Sequence, residues 1–396
     1  MKIFQKISTS FLIILACSCS KAEFVAPETY NCTLSNPEST NAHPKSAAFR
    51  TELEKIAQKT PGVMVALRTP DGATWLQSSG MADIANDIAL ENCHKMMIGS
   101  ISKVFTAVMI FRLQDQGLLT IEDPLTKWID ASITNQLENA NEVSLKQMLN
   151  HTSGLADYNN TQFNLDATNR PFMKLSQEEK LEYAYGEKAT HAPGSTYAYS
   201  NTNFVLLGMV AEAATGKIQA KILQENIFTP LGMTSAAYGS VEEPLPTGVV
   251  RPYVSVREGR YFDSKHLDIA DANTGDGGVA ANMQDLRTFV EGLFQGKLLS
   301  DASFTQMTQT LYEKPEDEHD YEGHNGESSG LGIDLYKMLE GDAYGHTGGI
   351  FGFNAYMLYF PETQASLCIA YNGAEERTSS DYKREFREAM LNIMFE

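Results

Sequence analysis

Apolar residues follow one spacing near the two ends of this chain and another through its middle. Residues 49–59 (FRTELEKIAQK) carry a helical pattern that Pro61 stops. Residues 63–69 and 74–78 then read as two strands joined by the turn signal Pro70-Asp71-Gly72. Beyond Gly99 the texture turns helical. Residues 100–117 predict a long helix with Val104, Phe105, Val108, Met109 and Leu113 on one face, closed by Gly117. Further helices are predicted over 144–150, 177–185, 203–215, 217–227 and 283–294, separated by long polar loops. Alternation returns at 355–360 and 366–371, around the turn Pro361-Glu362-Thr363, before a last helix over 380–394. Strands therefore frame a helical middle. That pattern predicts an α/β domain built from residues 47–115 and 296–396, with a mostly helical domain, 116–295, inserted into it.

The first residues fall outside this pattern. Lys2 and Lys6 precede the short apolar run 10–16 (SFLIILA), which is too short to span a bilayer, so residues 1–16 read as a signal peptide. Ile14-Leu15-Ala16-Cys17 resembles a bacterial lipobox, which makes Cys17 the lipidation site of an exported, envelope-attached lipoprotein. Residues 17–46 are polar, without periodicity, and read as a flexible tether. Loss of residues 1–16 removes two lysines and no acid, moving the formal net charge from −19 to −21. So acidic a surface repels phosphate backbones and anionic lipid, which argues against nucleic-acid binding and leaves acyl chains as the means of membrane attachment. Among the remaining cysteines, Cys32 and Cys93 lie in polar segments and are the expected disulfide, whereas Cys368 in ASLCIAY reads as a buried thiol. No pair has zinc-type spacing, and the expectation is a monomer without cofactor or metal.

Three short motifs carry the chemistry: Ser100-Ile101-Ser102-Lys103, Tyr199-Ser200-Asn201 and His346-Thr347-Gly348. None is specific alone, since S-x-x-K recurs at Ser18–Lys21 and Ser380–Lys383 and Y-x-N at Tyr158–Asn160. Ser100 and Lys103, three apart on a helix, share a face, and the helix N-terminus favours negative charge developing at Ser100. A lysine serves as base only where its surroundings adjust its pKa, and the apolar run 104–110 takes this helix end into the protein. Tyr199 and Asn201 sit two apart in a stretch read as extended, so both can face one cleft. His346-Thr347-Gly348-Gly349 precedes a predicted strand, where glycine lets backbone approach a ligand. Together these are parts of an acyl-transfer site that uses Ser and Lys where other hydrolases use Ser and His.

With these residues in order, the chain resembles the penicillin-recognising serine hydrolases, the class C β-lactamases and serine D-alanyl-D-alanine carboxypeptidases. The resemblance extends through NHTSGLADY (150–158), residues 192–216, FTPLGM (228–233) and Gly277-Gly278, covering roughly residues 50–390. It implies the β-lactamase/DD-peptidase-like fold, an antiparallel sheet flanked by N- and C-terminal helices. It makes Ser100 the nucleophile and Lys103 with Tyr199 the proton relay, the acylation base being one of the two. Asn201 would position the substrate amide, and His346, Thr347 and Gly348 would line the carboxylate end. The N–H groups of Ser100 and Gly349 would form the oxyanion hole. The implied activity is D-alanyl-D-alanine carboxypeptidase-like, on a peptidoglycan-type D-Ala peptide. The alternatives are a class C-like β-lactamase, or an esterase or D-amino-acid peptidase acting on another small amide or ester. A cell-envelope binding lipoprotein with a dead site is disfavoured because every reactive group is present.

Two departures bear on substrate. Some such carboxypeptidases carry Arg after a Gly-Leu-Gly-apolar run, whereas Gly330-Leu331-Gly332-Ile333 is followed here by Asp334, with Lys337 as a substitute cation. Gly349 replaces a hydroxyl residue found in some relatives. If His346 contributes a positive charge, activity should fall as pH rises past about 6.5. The loop His319-Asp320-Tyr321-Glu322-Gly323-His324 lacks helical ligand spacing and reads as surface, and His151 reads as a residue that stabilises its own loop.

Overall fold

The computed structural model describes residues 32–34, 42–170, 173–239, 248–257, 260–264, 274–309, 312–314, 328–375 and 380–396. The candidate signal peptide, Cys17, most of the tether and the 319–324 loop lie outside them.

Helix α1 (Ser46–Ile56) leads into strands β1 (Gly62–Arg68), β2 (Thr74–Asp83) and β3 (Ile88–Ala89). After the helical middle come β4 (Tyr312–Glu313), β5 (Ser328–Ser329), β6 (Asp334–Met338), β7 (Gly341–Ile350), β8 (Phe353–Phe360) and β9 (Ala365–Tyr371). Among the described residues these nine form one antiparallel sheet in the order β3-β2-β1-β9-β8-β7-β6-β5-β4. The two halves of the chain meet where β1 pairs with β9, Val63 opposite Tyr371. Strand β1 shows why its residues are apolar almost throughout. Val63, Val65 and Leu67 pack on Phe49 and Leu53 of α1, and on Phe386 and Met390 of the C-terminal helix Ser380–Phe395. Met64 and Ala66 point the other way, into the core shared with the helices. A sheet covered on both faces loses the usual alternation of apolar and polar positions.

The middle holds α2 (Ser102–Asp115), α3 (Asn201–Thr215) and α4 (Met283–Phe294). The expected single apolar stripe on α2 is corrected here, because every residue from Ser102 to Phe111 is buried. A helix enclosed on all sides has no polar face to reveal its period. Ser100 also does not start this helix. It sits in a 3-10 turn, Gly99–Ile101, that runs into it. Residues 217–227 divide into a short α-helix, Gln219–Leu223, and a π-helical turn, Gln224–Phe228. His346-Thr347-Gly348 does not precede a strand but lies inside β7, whose ten residues pair with β8. Cys32 and Cys93 form the disulfide, though Cys93 is buried rather than exposed, and Cys368 is a buried thiol.

Candidate active site

The three motifs meet at Ser100. Its Oγ lies 3.0 Å from Lys103 Nζ and 3.0 Å from Tyr199 OH, so one hydroxyl faces both an amine and a phenol. Strand β7 closes against the same turn. A Cβ on Gly348 would stand 1.9 Å from Ile98 O, and one on Gly99 would stand 2.8 Å from Gly349 N. Two backbones can approach this closely only because both positions are glycine.

Lys103 is fully buried, and a segment the motifs did not include holds it. Val279 N–H donates to Ser102 Oγ (3.0 Å), Thr106 Oγ1 donates to Gly275 O (2.6 Å), and Lys103 Nζ donates to Asp276 O (3.0 Å). The Asp276 carboxylate accepts from Tyr158 OH at 2.7 Å and from Thr274 Oγ1, and Thr274 in turn accepts from the buried Lys180 at 3.0 Å. Burial alone would lower the Lys103 pKa. The oxygens of Tyr199, Asp276 and Asp157 outweigh it and hold the ammonium above the ordinary lysine range. Burial raises the Tyr199 pKa, against the pull of Lys103. At rest the pair is therefore ammonium and neutral phenol.

The loop carrying Tyr199 is fastened to NHTSGLADY. His151, in the left-handed region at φ 58°, accepts the Ser200 N–H on Nδ1 (3.1 Å) and stacks on the Tyr199 ring with centroids 4.4 Å apart. Burial, followed by the charges of Lys103, His346 and Lys314, keeps its pKa well below the usual imidazole value, so the ring is neutral and Nδ1 is free to accept. His151 thus positions Tyr199 and holds its own loop. Ser200 is extended, but Asn201 already begins α3, and its side chain turns to Asp157: Asn201 N and Nδ2 reach Oδ1 and Oδ2 at 3.1 and 3.0 Å. Burial pushes Asp157 up to about 6.

On β7, His346 is buried and Thr347 half-buried. Burial lowers the His346 pKa despite the nearby Asp334 carboxylate, so the ring is neutral at pH 7. Burial thus works against the cationic His346 considered from the sequence, and it moves any fall in activity tied to that charge below pH ~6.5. Lys337 is no substitute cation either, since it is exposed and paired with Asp342 at the surface. Of the other sequence matches, Ser18–Lys21 lies outside the described residues, while Lys383 donates to Asn354 Oδ1 (2.6 Å), Tyr158 binds Asp276, and Asn160 caps a helix. Asp157, Asp276, Lys180 and Lys314 escaped the sequence reading. Only Asp157 left a signal, its place inside the NHTSGLADY stretch.

Residues 46–389 match the family described as Beta-lactamase. Penicillin-binding protein 4* of Bacillus subtilis (strain 168) is 27% identical over 374 residues, covering 89% of this chain and 76% of the relative. The D-alanyl-D-alanine-carboxypeptidase/endopeptidase AmpH of Escherichia coli (strain K12) is 26% identical, covering 72% and 73%. Among solved structures, a D-amino acid amidase from Ochrobactrum anthropi SV3 superimposes with a TM-score of 0.74 at 25% identity, covering 89% and 98%.

Proposed function

Since this chain belongs to the Beta-lactamase family of serine hydrolases, we propose that it cleaves amide bonds that follow a D-alanyl or similar D-amino-acid residue, through an acyl-Ser100 intermediate. The observation that carries the reading is the Ser100 hydroxyl held 3.0 Å from both Lys103 and Tyr199. Ser100 Oγ attacks the carbonyl carbon while its proton passes to the Lys103–Tyr199 pair. The N–H groups of Ser100 and Gly349 receive the oxyanion. The C–N bond then breaks, the departing amine takes a proton from the pair, and water hydrolyses the Ser100 ester. Asn201, His346, Thr347 and Gly348 line the cleft for the substrate backbone. The relatives' names support this substrate class: one is a D-alanyl-D-alanine carboxypeptidase/endopeptidase, another a D-amino acid amidase. A β-lactam would enter by the same attack. A penicilloyl adduct that persists on Ser100 in an intact-mass measurement fits a peptidase, and rapid turnover fits a β-lactamase.

The pH dependence follows from the charge state of the pair. Both pKa values are raised, so the form able to take the Ser100 proton has lost one proton and is a minority at neutral pH. Acylation should accelerate with pH, by up to about tenfold per unit below the pair's pKa. Measuring kcat/KM on a D-aminoacyl ester from roughly pH 6 to 9 tests this. A rate that falls across that range would count against the assignment.

We further propose that the protein is an exported, monomeric lipoprotein held in the cell envelope by acyl chains on Cys17. The basic start, the apolar run and the lipobox-like Ile14–Cys17 support it, as does the Cys32–Cys93 disulfide, which suits an oxidising compartment. Among the described residues no helix is long and apolar enough to cross a membrane. Cys17→Ala should move the protein from the membrane fraction to the soluble one. Unchanged fractionation would end the proposal.

A further inference from the structure

The strand edge beside Ser100 ends on a buried charged pair. Strand β6 pairs with β7 from Gly341 only as far as Gly345, opposite Asp334, one residue short of His346. Among the described residues, Asp334 therefore stands where this edge of β7 begins to run without a paired strand. It is 6% exposed, and its Oδ2 lies 2.7 Å from Lys314 Nζ, whose side chain is 10% exposed. Lys314 also sits over the Tyr197 ring, 5.9 Å from its centroid, and Tyr312 OH donates to Ser195 O at 3.1 Å. The pair is thus pinned between the sheet and the loop that delivers Tyr199. On the neighbouring strand His346 Nδ1 lies within hydrogen-bond distance of Thr347 O. A neutral ring bonded there carries its proton on Nδ1 and leaves Nε2 as an acceptor.

We infer that Asp334, braced by Lys314, is a specificity-determining residue that selects substrates ending in an amide or amine beyond the scissile bond, rather than in a free carboxylate. The inference rests on the serine-hydrolase reading and narrows it. A substrate carboxylate at this end of the cleft would set a second negative charge beside Asp334, whose own charge already takes up the Lys314 ammonium. His346, being neutral, adds no cation to offset it. A carboxamide or an amine instead brings N–H donors to the Asp334 carboxylate and to His346 Nε2. The chemistry balances as for any acyl transfer: the C–N bond breaks, the leaving nitrogen departs with the proton taken from Ser100, and water later restores the Ser100 hydroxyl.

The test uses two N-acylated D-Ala-D-Ala peptides, one with a free C-terminal carboxylate and one with a carboxamide. Wild-type protein should cleave the carboxamide with a kcat/KM about tenfold or more higher, mostly through KM. Asp334→Asn frees the Lys314 ammonium and should erase or invert that ratio, whereas Asp334→Glu should restore it. A wild-type preference for the carboxylate peptide overturns the inference without any variant. So does a ratio unmoved in a folded Asp334→Asn protein, which would leave Asp334 a purely structural role. Intact mass with a chromogenic D-aminoacyl ester separates the two levels. Absence of both an adduct on Ser100 and Ser100-dependent turnover of the ester would bring down the hydrolase reading itself, whereas either of these combined with carboxylate preference defeats the specificity inference alone.

Discussion

Ser100→Ala should reduce amide and ester hydrolysis by about 10⁴-fold or more, and Lys103→Met by a comparable factor, because the two act as a unit. The geometry makes Ser100 irreplaceable: its Oγ is the atom on which both Lys103 and Tyr199 converge. Removing that oxygen still leaves Lys103 bonded to Asp276 O and Tyr199 stacked on His151. Ser100 is only half-buried, so the melting temperature of Ser100→Ala should stay close to that of the parent. Lys103→Met differs in its stability readout. It removes a fully buried ammonium together with its bond to Asp276 O, and it substitutes an apolar chain of similar volume. Loss of turnover without loss of fold is the expected pairing for Ser100→Ala. Hydrolysis of a D-aminoacyl ester and intact-mass detection of the acyl adduct measure it. Residual activity within about tenfold of the parent would show that Ser100 is not the nucleophile.

Local pattern revealed much of the frame and less of the support around the site. Residues 49–59, 63–69 and 366–371 were legible because their periods are those of a helix against a sheet and of paired strands, and the observed spans Ser46–Ile56, Gly62–Arg68 and Ala365–Tyr371 lie within a few residues. Strand β7 was not legible in the same way. Its glycines lower strand propensity, and only pairing with β8 along its length makes His346-Thr347-Gly348 extended. The reacting groups could be named because serine, lysine and tyrosine sit in short motifs. Their supports could not. Asp276 reaches Lys103 through a backbone carbonyl, which any residue type possesses, from 173 positions away. Lys314 acquires meaning only from Asp334, two strands across the sheet. The neutral state of His346 is likewise a consequence of burial, which no three-residue motif records.

The third motif gives the second large prediction, and it separates two adjacent glycines. Gly348→Ala should destabilise the protein by about 1–3 kcal/mol and lower kcat by about 100-fold. The added Cβ would stand 1.9 Å from Ile98 O and 3.2 Å from Ile101 N, both backbone atoms of the turn that carries Ser100. Backbone cannot rotate aside as a long side chain can, so β7 and the turn must part by about 1 Å, a displacement that alone costs about 100-fold in a positioned reaction. Gly349→Ala meets a different environment: its Cβ would find only Asn354 Nδ2, at 3.5 Å, an ordinary contact. The alanine also keeps the N–H assigned to the oxyanion, so its loss should be far smaller in both melting temperature and kcat. Equal damage at the two positions would mean that the approach of β7 to the Ser100 turn does not set the geometry of attack. A large loss at Gly348 alone would tie the reaction to the contact of two backbones, and would explain why Gly349 can stand where some relatives place a hydroxyl while Gly348 has no room for any side chain.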